Sequence, residues 1–535
     1  MFPAPRAGSG SGWGSGIRRF PHLCRASQNT SCTVKLNNIA SQRRRLRFQR
    51  RLRATANSAA PTRRGTKDKP LNVLAPSSGI AAAPAHTFAD PEARLDVLVD
   101  LSQRLLAAAR ARGATQAEVS CSEEAGLNVN VRMGEVETVE STRDRGIAMT
   151  VYFGQRKGSA STADLREESL EATVEQACAL ARYTEDDEAA GLADAALMAT
   201  DLRDFDTWHP WNIDADRAIE LALACESAGR DFDKRIENSD GASVGTGASL
   251  GVYANSHGFV GRERSTQHSL GVALIGGRGD SMQRDGWYTS AMAADELETA
   301  ASVGRKAAER TVARLAPRQI ATGEYPVLYA AESARSLIGH LLGGISGGAL
   351  YRRASFLVDS AGTQLFPSWF RIDEQPFLRR GYRSTSYDGE GVATHESALI
   401  DAGVLQHYVL SSYSARKLGL QTTGNAGGVH NLQVAANAGD YTSLLKQMGR
   451  GLVVTELMGQ GVNAVTGDYS RGAAGFWVEN GELQYPVDGI TIAGNLRSMF
   501  SAIEAVGTDV DERSHVRTGS ILIGRMTVAG ESAED

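Results

Sequence analysis

Apolar residues recur at Leu95, Leu98, Leu101 and Leu105, the three-and-four spacing of one helix face, directly after Asp90-Pro91. An aspartate cap followed by a first-turn proline makes this a helix start. The period then shortens. Residues 117–121, 127–132 and 146–153 alternate or are β-branched and predict strands, and 164 to about 183 returns to a helical pattern. Together these elements predict a small α+β domain over 89–205.

A loop at Trp208-His209-Pro210-Trp211 precedes a helical stretch near 217–230, then Gly-, Ser- and Thr-rich strand patterns between 236 and 292. A polar helix opened by Asp295 and closed by Pro317 follows, so 206–318 predicts a meander packed under a helix. From 319 to 535 the pattern is mostly β. Residues 396–400 and 404–411 flank Asp401-Ala402-Gly403, and 475–478 and 483–487 flank Glu479-Asn480-Gly481-Glu482, so both read as hairpins with turn residues that accept positive φ. The fold class is α+β: an N-terminal α/β-type region, a middle meander-plus-helix region and a β-rich, barrel-like C-terminal domain.

Charge separates the first residues from the rest. Residues 1–70 carry 16 of the 57 Lys+Arg and one acid, Asp68, which leaves 41 basic and 61 acidic side chains in the remainder, a net charge of about −20. That sign disfavours nonspecific nucleic-acid binding by the body. The Arg-rich, Gly- and Ser-rich stretch 1–88 lacks the apolar surface to offset chain entropy and is expected to be a disordered basic extension. It reads as a dispensable upstream segment, an organelle transit peptide or a nucleic-acid arm. No apolar run approaches the length of a membrane-spanning helix. The five cysteines, Cys24, Cys32, Cys121, Cys178 and Cys225, show no CxxC, and none follows residue 225, which argues for a reducing compartment and against a thiolate metal site in the C-terminal half.

The densest candidate chemistry is the stretch 338–353, IGHLLGGISGGALYRR. Its GISGG matches the nucleophile-elbow pattern centred on Ser346, but that motif needs a strand before the serine, and 332–342 reads as helix. GTGASLG at 245–251 has the wrong spacing for a dinucleotide fingerprint. None of the ten histidines forms a helical H-x3-H pair; His395-Glu396 opens like a zinc motif but lacks the second histidine, and His340, His407 and His430 remain as separated residues that could meet in space.

Five segments resemble the PmbA (TldE) branch of the TldD/PmbA metalloprotease family: 339–353, GEGVAT at 389–394, LSSYSARKLGLQTTGNAGG at 410–428, 451–488, and ITIAGNL at 490–496. The likeness is continuous from about residue 117 to the C-terminus and leaves out 1–88. It implies a soluble cytoplasmic subunit of a two-component zinc metalloprotease that degrades small or unfolded polypeptides and trims peptide precursors. The catalytic TldD member carries H-E-x-x-x-H on a helix and a later cysteine. On that pattern His340 falls at the second histidine, Arg335 and Ser336 stand in place of the first histidine and the glutamate, and Gly472 takes the place of the cysteine. The resemblance therefore implies no catalytic or metal residues and no cofactor in this chain, with zinc expected in a TldD-type partner. His340, Arg352, Asp468, Tyr469 and Arg471 are the candidates for contact with substrate peptide or partner, and Arg353 beside Arg352 could hold acids. The Gly-rich run 466–475 is expected to let a substrate backbone approach as an added strand. An independent metallopeptidase with an unconventional site and a regulatory peptide-binding protein are the alternatives.

Overall fold

The computed structural model describes residues 86–530, so most of the basic extension lies outside the described residues. His86, Thr87 and Phe88 are buried. Phe88 tilts against Trp208 with ring centroids 6.4 Å apart, and the Arg143 guanidinium stands over the Phe88 ring.

Helix α1 (Pro91–Ala111) begins where the Asp90 carboxylate accepts from the Ala93 amide, and it buries Leu95, Leu98, Leu101 and Leu105. After it come β1 (Gln116–Arg132), β2 (Glu135–Phe153), β3 (Arg156–Thr162), α2 (Glu167–Tyr183), α3 (Ala215–Arg230), β4 (Ile236–Asn255), β5 (Val260–Gly276), β6 (Gln283–Ala291) and α4 (Ala300–Ala313). The six strands form one sheet in the order β3-β2-β1-β4-β5-β6, and β1 pairs with β4 from Glu118 to Val131. The sheet is thus continuous from 116 to 291. Helices cover one face: α1 and α2 pack on Val119, Cys121 and Leu250, and α3 and α4 pack on Val129, Val244 and Val272. Gly229 and Gly304 let α3 and α4 touch backbone to backbone, since a Cβ on Gly304 would stand 2.2 Å from the Cys225 carbonyl.

Two stretches differ from the sequence expectation. The separate strands 117–121 and 127–132 are one 17-residue strand, because the intervening SEEAG keeps the two-residue alternation, with Glu123 and Ala125 buried and Ser122 and Glu124 exposed. Glu123 is tolerated inside because Arg94 of α1 donates to it through Nε at 2.7 Å. Strand β2 also runs through 135–145, all exposed, where no apolar alternation announces it.

The remaining chain builds β7 (Gly323–Tyr329), α5 (Ala331–Ile345), α6 (Gly347–Tyr351), β8 (Ile372–Glu374), β9 (Ser397–Asp401), β10 (Val404–Leu405), α7 (Ser412–Leu418), β11 (Leu432–Val434), α8 (Tyr441–Met448), β12 (Gly451–Met458), β13 (Asp468–Glu479), β14 (Glu482–Asn495), α9 (Leu496–Ser501), β15 (Ile503–Val506), β16 (Val516–Arg517) and β17 (Ile521–Ala529). Both predicted hairpins are present. Their turns hold Ala402 and Gly403, and Asn480 and Gly481, at positive φ. Strands β14, β13, β12, β7 and β17 follow one another, and β17 pairs back onto β14 through Thr491 to Ala493, which closes a five-stranded barrel. This is the α+β class with a barrel in its C-terminal region. Helix α5 packs on the barrel with Leu337, Ile338, Leu341 and Ile345, each contributing about 1.5–3 kcal/mol by burial.

Candidate functional site

Helix α5 has two unlike faces. Its buried face carries the apolar residues just named; its other side carries Arg335, Ser336, Gly339, His340 and Gly343. Gly339 and Gly343 are exposed, and a Cβ added to either would meet nothing within 4 Å. They leave a bare strip along the helix. Gly344 differs, because a Cβ there would press on Leu357 at 2.9 Å.

Strand β13 lies across from His340. Its alternation sends Tyr469 and Arg471 to one side and Asp468 and Ser470 to the other. The His340 and Tyr469 rings meet at 82° with centroids 5.8 Å apart, and the Tyr329 hydroxyl donates to the Tyr469 hydroxyl at 3.3 Å. The Arg471 guanidinium bonds the same Tyr469 hydroxyl. His340 Nε2 and Arg471 Nε are both buried and find no protein partner. Burial first, and the Arg471 charge second, push the His340 imidazole below its ordinary value, so it is neutral at pH 7. Burial raises the Tyr469 phenol, which stays protonated.

One turn back along α5, Arg335 pairs with Asp511 at 3.3 Å, and Ser336 donates to the Ser333 carbonyl at 2.7 Å. Asp511 also holds Arg513 at 2.9 Å. Burial opposes ionisation of Asp511, but the Arg513 hydrogen bond and the two guanidinium charges outweigh it and hold the carboxyl below the usual range. Arg513 stacks 3.9 Å above the Trp287 ring and reaches Glu332, which Arg310 holds at 2.6 Å. This network joins β6 and α4 to α5. It was not legible in the sequence, where Trp287 and Arg513 are separated by more than two hundred residues and neither belongs to a motif.

The donor set at α5 does not fit a zinc ion. Zinc takes three or four lone-pair donors, and here a single imidazole stands beside the Arg471 guanidinium, which offers none and repels a cation, while the Glu332 and Asp511 carboxylates are held by arginines. Gly472 lies in the barrel wall between Met458 and Thr491 and supplies no side chain. Among the described residues no group of three His, Cys, Asp or Glu is arranged to hold a metal.

Of the residues singled out in the sequence, His340, Tyr469 and Arg471 come together. Asp468 faces the opposite side of β13, where it accepts from Thr466 Oγ1 at 2.6 Å and from Asn495 at 3.3 Å. Arg352 is exposed and donates to the Tyr351 hydroxyl at 3.0 Å; Arg353 pairs with Asp359 at 3.3 Å. The three separated histidines do not share a site: His430 Nδ1 lies 2.8 Å from buried Glu374, and His407 lies between Ser397 Oγ and the Tyr408 carbonyl. Ser346 follows a helix rather than a strand, and its hydroxyl donates to the Gly343 carbonyl, so GISGG is no nucleophile elbow.

Comparison with known proteins identifies the family and the fold. Three family models match in series: PmbA/TldA metallopeptidase domain 1 over 117–181, the central domain over 208–315, and the C-terminal domain over 322–530. The metalloprotease PmbA of Escherichia coli O157:H7 is 49% identical over 415 residues, which is 78% of this chain and 92% of that protein. A crystal structure from Bacteroides thetaiotaomicron, described as a candidate modulator of DNA gyrase, superposes with a TM-score of 0.78 at 26% identity, covering 81% of this chain and 99% of that one. TldE from Thermococcus kodakarensis shares the fold, with a TM-score of 0.71 at 19% identity over 80% of this chain and 100% of its own. With the three domain models spanning 117–530 and a PmbA relative matched over nearly its whole length, the chain belongs to the PmbA/TldD metallopeptidase family.

Proposed function

We propose that this chain is the noncatalytic PmbA/TldE-type subunit of a cytoplasmic two-component metalloprotease, pairing with a TldD-type subunit that supplies the zinc centre. Its own part is to hold small or unfolded polypeptides for cleavage or trimming. The observation that carries this reading is the replacement on α5. Arg335, paired with Asp511, and Ser336, bonded to Ser333, stand where the resemblance implies a zinc histidine and a general base, so the position of the glutamate offers no carboxylate to take the proton from a zinc-bound water. The bare strip at Gly339 and Gly343 supports the holding role, because a second backbone can lie close against the helix there.

The test is cleavage of an unstructured peptide by a TldD-type subunit mixed with this chain, together with zinc analysis of each subunit alone. Arg471→Ala is expected to leave the chain folded and lower cleavage by the mixture at least tenfold, a loss of about 1.4 kcal/mol in transition-state stabilisation. Peptide cleavage by this chain alone, with about one zinc per chain lost on His340→Ala, would overturn the reading in favour of an independent peptidase.

A further inference from the structure

We propose that His340 and Arg471, beside Tyr469, bind a carboxylate of the held peptide, so that an anion sits where the family resemblance implies a cation in TldD-type members. The inference rests on the peptide-holding reading above and names the group that this site recognises.

Four features of the site support it. Arg471 is half-buried yet makes no ion pair with any described acid, and its Nε finds no protein acceptor. A buried guanidinium left without an anion is costly, and a carboxylate relieves that cost through charge-assisted hydrogen bonds. His340 Nε2 is the second open nitrogen, held edge-on by Tyr469 and able to donate in the tautomer that protonates it.

The neighbouring acids are already engaged. Asp511 is held by Arg335 and Arg513, Glu332 by Arg310 and Arg513, and Asp468 points to the other side of β13. The site is therefore net positive from Arg471 and receives no internal counterion. Approach is along α5, where exposed Gly339 and Gly343 present no side chain to an incoming backbone; because His340 Nε2 and Arg471 Nε are buried, the side chains around them shift to admit the carboxylate.

A free carboxylate comes from two sources, the peptide's C-terminus or an aspartate or glutamate side chain, and the experiment separates them. The full chain is titrated calorimetrically with pentaalanine bearing a free C-terminal acid, pentaalanine amide, and an amidated pentapeptide with a central glutamate. The free acid is expected to bind at least tenfold more tightly than the amide. Recovery of that affinity by the glutamate peptide assigns the site to acidic side chains; no recovery assigns it to the C-terminus. Arg471→Met is expected to abolish the preference for acid over amide, Arg471→Lys to retain part of it, and Arg217→Met on the exposed side of α3 to leave it unchanged. Far-UV circular dichroism and a thermal melt of each variant check that the methionine chain is folded, and the lysine variant shows how much of the preference a positive charge alone supplies. Equal binding of acid and amide, a preference that survives Arg471→Met, or no binding of any peptide overturns the proposal. The holding role is judged separately, by cleavage of the amidated peptide in the mixture with a TldD-type subunit.

Discussion

Arg335 and Asp511 stand 3.3 Å apart, with the Asp511 side chain only 5% exposed. Arg335 stands at the place of the first histidine in the H-E-x-x-x-H pattern that the family resemblance implies for TldD-type members. Undoing its ion pair has structural consequences.

Rewriting Arg335→His and Ser336→Glu together restores H-E-x-x-x-H through His340 but is expected to bind no stoichiometric zinc. Asp511 loses one of its two guanidiniums, and the new glutamate lies four residues after Glu332, a like-charge pair on one helix face. The double variant should lose roughly 1–3 kcal/mol of stability. Elemental analysis after equilibration with zinc and a denaturant melt measure both; one zinc per chain would show that the helix retains a usable metal geometry.

Gly339→Ala separates folding from function on α5. Gly339 lies within the helix with open space beside it, so alanine should stabilise the chain by about 0.5–1 kcal/mol. The added methyl fills the bare strip, and peptide cleavage in the mixed complex should fall several-fold. A rise in melting temperature with unchanged cleavage would mean that nothing approaches this face.

The carboxyl of Asp388 is pushed up to about 6 by burial, although it accepts from the amides of Glu390, Val392 and Ala426. Its folded value lies above the unfolded one, so its contribution to stability is complete below about pH 4 and is lost as pH rises through 6. The lost contribution is on the order of 2–3 kcal/mol. Asp388→Asn should be less stable than wild type at pH 4, because its amide confronts the Ala426 N–H, and the gap should narrow by pH 7. Chemical denaturation at four or five pH values between 4 and 7 reads the difference; a gap of constant size would show that Asp388 titrates normally.

Local pattern and long-range pairing explain what could be read in advance. Helix α1 was legible from its leucine spacing and Asp90 cap, and the 479–482 turn from Asn480-Gly481, because each depends on residues close in sequence. Strand β2 between 135 and 145 was not, because both of its faces are exposed and its only pairing is to β1. At the site, His340, Tyr469 and Arg471 could be named from segments of family-like sequence, yet their convergence depends on barrel closure, which no local pattern encodes. Asp511 had no signal at all, since its role is set by Arg335 and Arg513 rather than by any motif.

Arg513 ties the N-terminal sheet to the barrel, and its removal should show as lost cooperativity. It bonds Asp511 through Nε at 2.9 Å, approaches Glu332 at 3.5 Å, donates to the Tyr288 carbonyl at 3.1 Å and stacks at 3.9 Å on Trp287 of β6. The side chain is 14% exposed, so these contacts are largely shielded from water and salt. Arg513→Ala leaves Arg335 as the sole counterion of Asp511 and should cost about 3 kcal/mol. Arg513→Lys keeps the charge but loses the planar fork and the flat stacking surface, so roughly half that loss is expected. In differential scanning calorimetry the alanine variant should broaden or split the transition, with Trp287 fluorescence changing in the earlier step, as the sheet opens before the barrel. A single sharp transition displaced by less than one degree would show that the two layers are held together elsewhere.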